Sequence, residues 1–152
     1  MTTPHLSLGP PLPAARATEI RTLVTRTTRW VSDRADVTGL LLVGSCARGD
    51  ARPGSDVDLV LLTTEPEAYH GAPWARQLGL LVPVRSQPWG AVVEKRFATP
   101  SGLEVEFAVG APSWAGTDPV DPGTRGVVND GALVLHDPAG VLARLVEVCR
   151  GG

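Results

Sequence analysis

Residues 56–62 read Asp-Val-Asp-Leu-Val-Leu-Leu, a run in which two acidic residues interrupt an otherwise aliphatic segment. An aliphatic run of this length, preceded by a Pro-Gly turn signal, is typical of a strand buried on both faces of a sheet. Side chains alternate between the two faces of a strand, so Asp56 and Asp58 are expected on the same face. Burying two neighbouring like charges is costly unless a cation lies between them. The run therefore predicts a central strand that carries a charged site.

The composition of this site favours a divalent cation and a phosphorylated ligand. An oxygen-rich site with open positions suits Mg²⁺, and Mg²⁺ suits substrates that bring their own phosphate oxygens. Before the strand, a glycine lets the backbone approach a ligand closely, and a serine hydroxyl with nearby N–H groups can hold phosphate oxygens. Arginines in the same loop can add positive charge around a triphosphate. The candidate nucleotide-binding residues are Gly44, Ser45, Arg48, Arg52 and Ser55.

Each of these residues also has a purely structural interpretation. The aspartate pair would fit a polar edge strand, Ser45 would fit a helix cap, and the two loop arginines would fit a surface ion pair with Asp50. Charged side chains on an exposed sheet face are likewise the default for Arg85, Glu94 and Arg96. The aliphatic character of the neighbouring strands favours a central position for the aspartates over an edge.

The rest of the chain predicts helices that flank one mixed sheet. Apolar residues at helical spacing predict a helix over 14–32, and the apolar run at 36–43 predicts a strand. The elements predicted after residue 62 are a short helix at 74–78, a strand or extended segment at 80–90, strands at 92–98 and 103–109 joined by a hairpin turn, a helix at 124–130, a strand at 132–135 and a helix at 139–148. Asp137 and Pro138 predict the N-cap and first residue of the last helix. The fold class is therefore α+β.

Length and charge limit the organisation of the chain. At 152 residues it is long enough for one domain, which we expect over 14–152, with a Pro-rich, flexible lead-in over 1–13 and a C-terminal elaboration over about 110–152. A formal net charge of −2 has no general attraction for nucleic acid or for an anionic membrane. The sequence begins without a signal-peptide pattern and has no apolar run of membrane-spanning length, so we expect a cytoplasmic protein.

Val-Gly-Ser at 43–45, followed by Asp-Val-Asp-Leu at 56–59, resembles the signature of the nucleotidyltransferase superfamily. This fold is shared by DNA polymerase beta, aminoglycoside adenylyltransferases and the minimal nucleotidyltransferases. The fuller stretch GSCARGDARPGSDVDL is most similar to the minimal and antibiotic-modifying members. The resemblance implies a mixed sheet like the polymerase beta palm.

The resemblance also implies a third carboxylate on a neighbouring strand, which the sequence GLEVEFAVG can supply. Glu104 matches the antibiotic type and is preferred slightly, whereas Glu106 matches the polymerase type equally well. By this resemblance the catalytic candidates are Asp56, Asp58, Glu104 and Glu106, and the ligands of a two-ion Mg²⁺ site are Asp56, Asp58 and Glu104. The third acid would serve as a metal ligand or as the general base for the acceptor hydroxyl.

The activity implied is transfer of a nucleoside monophosphate, in the first place AMP, from ATP or another nucleoside triphosphate to a hydroxyl of a small molecule or protein, with release of pyrophosphate. The alternative is a catalytically inactive nucleotide-binding or antitoxin-like interaction module of the same fold. The chain resembles a bare catalytic palm, so acceptor recognition would come from the C-terminal elaboration, from a second copy in a homodimer, or from a small helical partner protein. The residues do not choose the acceptor or the base.

Overall fold

The computed structural model describes residues 6–151, and these residues form an α+β fold as predicted. The five α-helices are α1 (Ala14–Ser32), α2 (Gly44–Arg48), α3 (Pro73–Arg76), α4 (Pro122–Asn129) and α5 (Val141–Gly151). The six strands are β1 (Val37–Val43), β2 (Val57–Thr63), β3 (Val82–Trp89), β4 (Val92–Ala98), β5 (Glu104–Gly110) and β6 (Ala132–His136). Short 3-10 helices cover Pro66–Tyr69 and Pro112–Ala115. None of the helices in this range is long and apolar enough to cross a bilayer.

All six strands form one mixed sheet in the order β3-β4-β5-β2-β1-β6. Neighbouring strands are antiparallel except β2 and β5, which pair in parallel. The three aliphatic strands β1, β2 and β5 lie inside the sheet, as their sequences predict, because such strands can bury side chains on both faces. Only β3 and β6 form its edges.

The two faces of the sheet carry separate hydrophobic cores, of which the larger lies on the first face. Alternation along β1 sends Leu40 and Leu42 to the first face, into a core shared with α1, and Leu41 to the second face, into a core shared with α5. On the second face α4 and α5 contact β1 and β6. The side chains of β4 and β5 on this face are largely charged and lie outside that core; they include Glu94, Arg96, Glu104 and Glu106.

An aromatic cluster on the first face fixes β4 and β5 against the helices. Trp74 of α3 lies at its centre, 5.8 Å from the ring of Trp30, 5.4 Å from Tyr69, 5.5 Å from Phe97 and 5.1 Å from Phe107. Three of these four contacts are edge-to-face, which is a favourable geometry for aromatic pairs. The cluster therefore holds the strands that carry the charged side chains of the second face.

The segment before α1 requires a correction to the predicted lead-in. Leu6, Leu8 and Leu12 are buried in the first-face core, and the backbone N–H of Ala51 donates a hydrogen bond to the carbonyl of Leu8 at 2.9 Å. Residues 6–13 thus pack on the domain, whereas residues 1–5 lie outside the described residues. The prolines and the irregular spacing of the leucines form no periodic pattern that would predict this packing. It depends on contacts with residues that are distant in the chain.

The start of the last helix also differs from prediction. The helix begins at Val141, so Pro138 is not its first residue, and a turn lies between the two. The carboxylate of Asp137 nevertheless accepts hydrogen bonds from the backbone N–H groups of Leu142 at 3.0 Å and Ala143 at 2.9 Å. Asp137 therefore satisfies helix-terminal donors from further away than a standard N-cap.

Replacing Leu8 by alanine should lower the free energy of unfolding by about 2–4 kcal/mol, because it removes a buried side chain and leaves a cavity. Ser7→Ala is the matched control, since Ser7 is exposed, and it should change stability by less than about 0.5 kcal/mol. Urea denaturation followed by circular dichroism measures both. Equal stabilities of the two variants would mean that residues 6–13 do not pack on the domain in solution.

Candidate active site

The turn between β1 and α2 brings backbone and carboxylate into close contact. Val43, the last residue of β1, pairs with Asp58 of β2. Gly44 follows with a positive φ of 74°, and a Cβ on this residue would lie 2.9 Å from Oδ2 of Asp58. Glycine is therefore required here on two counts, the left-handed backbone and the approach of the Asp58 carboxylate.

The register of the sheet assembles charged side chains on the open part of the second face. Parallel pairing of β2 with β5 sets Asp58 opposite Glu106, and antiparallel pairing of β5 with β4 sets Glu106 opposite Arg96. Glu104 lies two residues earlier on the same face of β5, and Asp56 lies just before β2 begins. We call Asp56, Asp58, Glu104 and Glu106 the acidic cluster.

Arg96 is the principal cation of the acidic cluster. Its Nη1 lies 2.7 Å from Oδ2 of Asp56 and 3.2 Å from Oε1 of Glu104, and its Nη2 lies 3.0 Å from Oε2 of Glu106. The hydrogen bond to Asp56 raises the pKa of Arg96 above its ordinary value, against the opposing effect of burial. The expectation that Arg96 is simply a solvated sheet residue is wrong, because only 17% of its side chain is exposed.

Asp58 has no ion pair or side-chain hydrogen bond among residues 6–151. Burial, followed by the neighbouring charges of Glu106 and Asp56, raises its pKa from 3.8 to about 6, although Arg96 acts in the opposite direction. Asp58 is therefore the least compensated carboxylate of the cluster.

A pocket of about 270 Å³ opens beside these residues. Its polar wall holds Asp58, Glu94, Glu106 and Asp130, and Glu104 does not line it. This differs from the preference for Glu104 as the third carboxylate. The apolar wall is formed by Val43, Leu59, Val60, Trp89, Val92, Ala108, Trp114 and Val127, with Gly44 at the turn. An apolar pocket with a few converging polar groups is the usual form of a small-molecule site.

The remaining candidates lie at the end of α2 and in the loop between α2 and β2. Arg48 is held by Asp130, with its Nη1 2.9 Å from the Asp130 carboxylate and 2.8 Å from its carbonyl oxygen, rather than by Asp50. Arg52 lies 3.9 Å from Asp50 in an exposed pair, which has little energetic weight. The hydroxyl of Ser55 accepts a hydrogen bond from the backbone N–H of Arg52 at 2.9 Å and so closes the turn before β2.

The chemistry of these residues fits a divalent cation, although their side chains do not form a preformed metal site. Within residues 6–151 no three acidic, histidine or cysteine side chains are gathered closely enough to hold a metal ion. Three carboxylates nevertheless share one guanidinium, and the nearby Asp58 has no ion-pair partner among the described residues. Hard oxygen ligands with excess negative charge are the set that Mg²⁺ and Mn²⁺ take.

The sequence contains only a weak indication that Arg96 takes part in this site. Alternation along β4 puts Glu94 and Arg96 on one face, and the hairpin at 99–102 sets that face beside the glutamates of β5. A charge pattern of this kind indicates cross-strand ion pairs, but it does not indicate that the arginine reaches across to Asp56.

Replacing Asp58 by asparagine should stabilise the metal-free protein, with a gain that depends on pH. Because the pKa is higher in the folded than in the unfolded chain, ionisation of Asp58 costs stability as the pH rises from 3.8 to about 6. The gain should be near zero at pH 4 and, after allowance for solvent screening, about 1–2 kcal/mol above pH 6.5. Urea denaturation at several pH values measures it, with Asp50→Asn in the exposed loop as the control. A loss of stability at all pH values would contradict the prediction that the ionised Asp58 carboxylate destabilises the fold.

Residues 26–100, a range that includes the Gly44 turn and both aspartates, match the model of the nucleotidyltransferase domain. In structure, the chain is similar to a chain described as "The structure of CCA-adding enzyme apo form I", with 14% sequence identity and a TM-score of 0.42. The similarity covers 89% of this chain and 32% of that one, so this chain spans about a third of its length. No curated protein matches the sequence. Residues 26–100 thus match the nucleotidyltransferase domain family, which supports the superfamily that the motif predicts.

Proposed function

We propose that the protein transfers a nucleoside monophosphate, with ATP as the first donor to test, from a nucleoside triphosphate to a hydroxyl of a small molecule or protein. The observation that supports this most directly is the pairing of Asp58 with Glu106, which both line the pocket together with Gly44. Two carboxylates that line an open pocket provide oxygen ligands for a metal ion, which in turn would bind the triphosphate.

We infer that Asp56, Asp58 and Glu106 would hold Mg²⁺. Asp58 and Glu106 line the pocket, and Asp56, two residues before Asp58 in the chain, has about a third of its side chain exposed. Glu106 is a better third ligand than Glu104 because it faces Asp58 across the β2–β5 ladder. When bound, Mg²⁺ would neutralise the triphosphate and lower the pKa of the attacking hydroxyl.

The other residues of the site would position the two substrates. The turn at Gly44, which lines the pocket beside Asp58, would bring the backbone close to the phosphate oxygens, with the Ser45 hydroxyl next to it in the chain. The indole rings of Trp89 and Trp114 also line the pocket and would exclude water from an acceptor or base lying against them. Such positioning accounts for much of the rate enhancement in phosphate transfer.

The two glutamates of β5 provide an internal comparison for this proposal. Glu106→Gln should weaken binding of ATP with Mg²⁺ at least about 100-fold, because loss of even an outer-shell partner of a metal typically costs 10–100-fold. Glu104→Gln is the matched control and should change binding less than about tenfold. The measurement is the increase in melting temperature with ATP and Mg²⁺, each alone and together.

The activity is measured as pyrophosphate release from labelled nucleoside triphosphates in the presence of candidate hydroxyl acceptors. Release that depends on Mg²⁺ and disappears in Asp58→Asn would support the proposal. Absence of any thermal shift with all four triphosphates and Mg²⁺ would contradict it. A shift without pyrophosphate release under any acceptor tested would favour the inactive nucleotide-binding module instead.

A further inference from the structure

We propose that Arg96 is a built-in counter-cation, which holds the acidic cluster together without metal and is exchanged for the divalent ion when it binds. The inference rests on the proposed metal-dependent function of the same site. It assigns to Arg96 a positioning and competing role, with no contact to the reacting atoms.

The contacts of Arg96 are with the carboxylates that a metal would need. Its guanidinium bonds to Asp56 at 2.7 Å and to Glu106 at 3.0 Å, and both distances are typical of charge-assisted hydrogen bonds. Asp58, the remaining ligand candidate, pairs with Glu106 across the β2–β5 ladder and has no hydrogen bond to Arg96 among the described residues. A divalent ion would therefore have one free carboxylate available and would have to gain two that Arg96 holds.

Simultaneous occupation by both cations is unfavourable. Mg²⁺ or Mn²⁺ lies about 2.0–2.2 Å from its carboxylate oxygens, so it would be only a few ångströms from a guanidinium bound to the same groups. In a half-buried site the repulsion between a unit charge and a double charge at that distance is much larger than in water. Binding of the ion and retention of all three Arg96 contacts should therefore oppose each other.

Arg96 also has the means to release these contacts. Its Nε is buried and has no hydrogen-bond partner among residues 6–151, so its present position leaves one donor unsatisfied. Glu104 lies outside the pocket with 43% of its side chain exposed, and it can remain as a partner at the rim. This would explain why β5 carries two glutamates on one face when only one faces Asp58.

Removal of the guanidinium should strengthen metal binding. Arg96→Gln should bind Mn²⁺ at least about tenfold more tightly than the wild-type chain, because the competing charge is gone. Without metal the same variant should melt at a lower temperature than the wild type, because the acidic cluster loses its principal cation. Adding Mn²⁺ should then raise its melting temperature by more than it raises that of the wild type. Mn²⁺ binding is measured by the electron paramagnetic resonance signal of the free ion, and melting by circular dichroism.

Two further variants separate this role from a structural one. Arg85→Gln removes a more exposed arginine 3.5 Å from Glu106 and should change Mn²⁺ affinity less than about threefold. Arg96→Lys keeps the charge but not the fork that reaches three carboxylates, so its affinity should lie between those of the wild type and Arg96→Gln, and it serves if the glutamine variant does not fold. Asp58→Asn should lose the tight site and so identifies its position.

The outcomes distinguish this inference from the function on which it rests. Tighter Mn²⁺ binding by Arg96→Gln supports the exchange. If the wild type binds Mn²⁺ in a manner that requires Asp58, but folded Arg96 variants bind it equally or more weakly, the exchange is overturned while the proposed function stands. If neither the wild type nor any variant binds Mn²⁺, the proposed metal-dependent function and this inference are both overturned.

Discussion

The parallel pairing of β2 with β5 is the constraint on which the site depends. It sets Asp58 beside Glu106 in a single row of the sheet, and the neighbouring antiparallel strand adds Arg96 to that row. If β5 shifted by one residue relative to β2, its two glutamates would point into the apolar core of the first face. Phe107 or Val105 would then lie on the open face. The core on the first face, with its aromatic cluster around Trp74, therefore fixes the electrostatics of the second.

Two like charges so close together make the site a source of instability. The chain compensates in part with Arg96, which serves three of the four carboxylates and leaves Asp58 with a raised pKa. A carboxylate with a raised pKa that lines a pocket beside other acidic groups is a pattern typical of functional sites. In our proposal a divalent ion and a triphosphate complete the compensation when they bind.

Much of the fold followed from local patterns in the sequence. The strands β1, β2 and β5 are aliphatic because they are buried on both faces, and the helix α1 follows its apolar periodicity, so both kinds of element were predictable. The segment at 6–13 was not, since its leucines have no regular spacing and are buried by residues from distant parts of the chain. The start of α5 was also missed, because Asp137 caps its helix across a turn that has the same composition as a standard helix start.

For the site, the sequence by itself determined the residue types and their local order: a glycine turn, an aspartate pair at the start of a buried strand, and two glutamates on one face of another. Alternation along a strand is a local property, so it needs no knowledge of the fold. Only the tertiary structure decided which glutamate meets Asp58 and which cation reaches Asp56. Those contacts depend on the register between strands that are far apart in the chain, and register is set by the packing of the whole sheet against its helices.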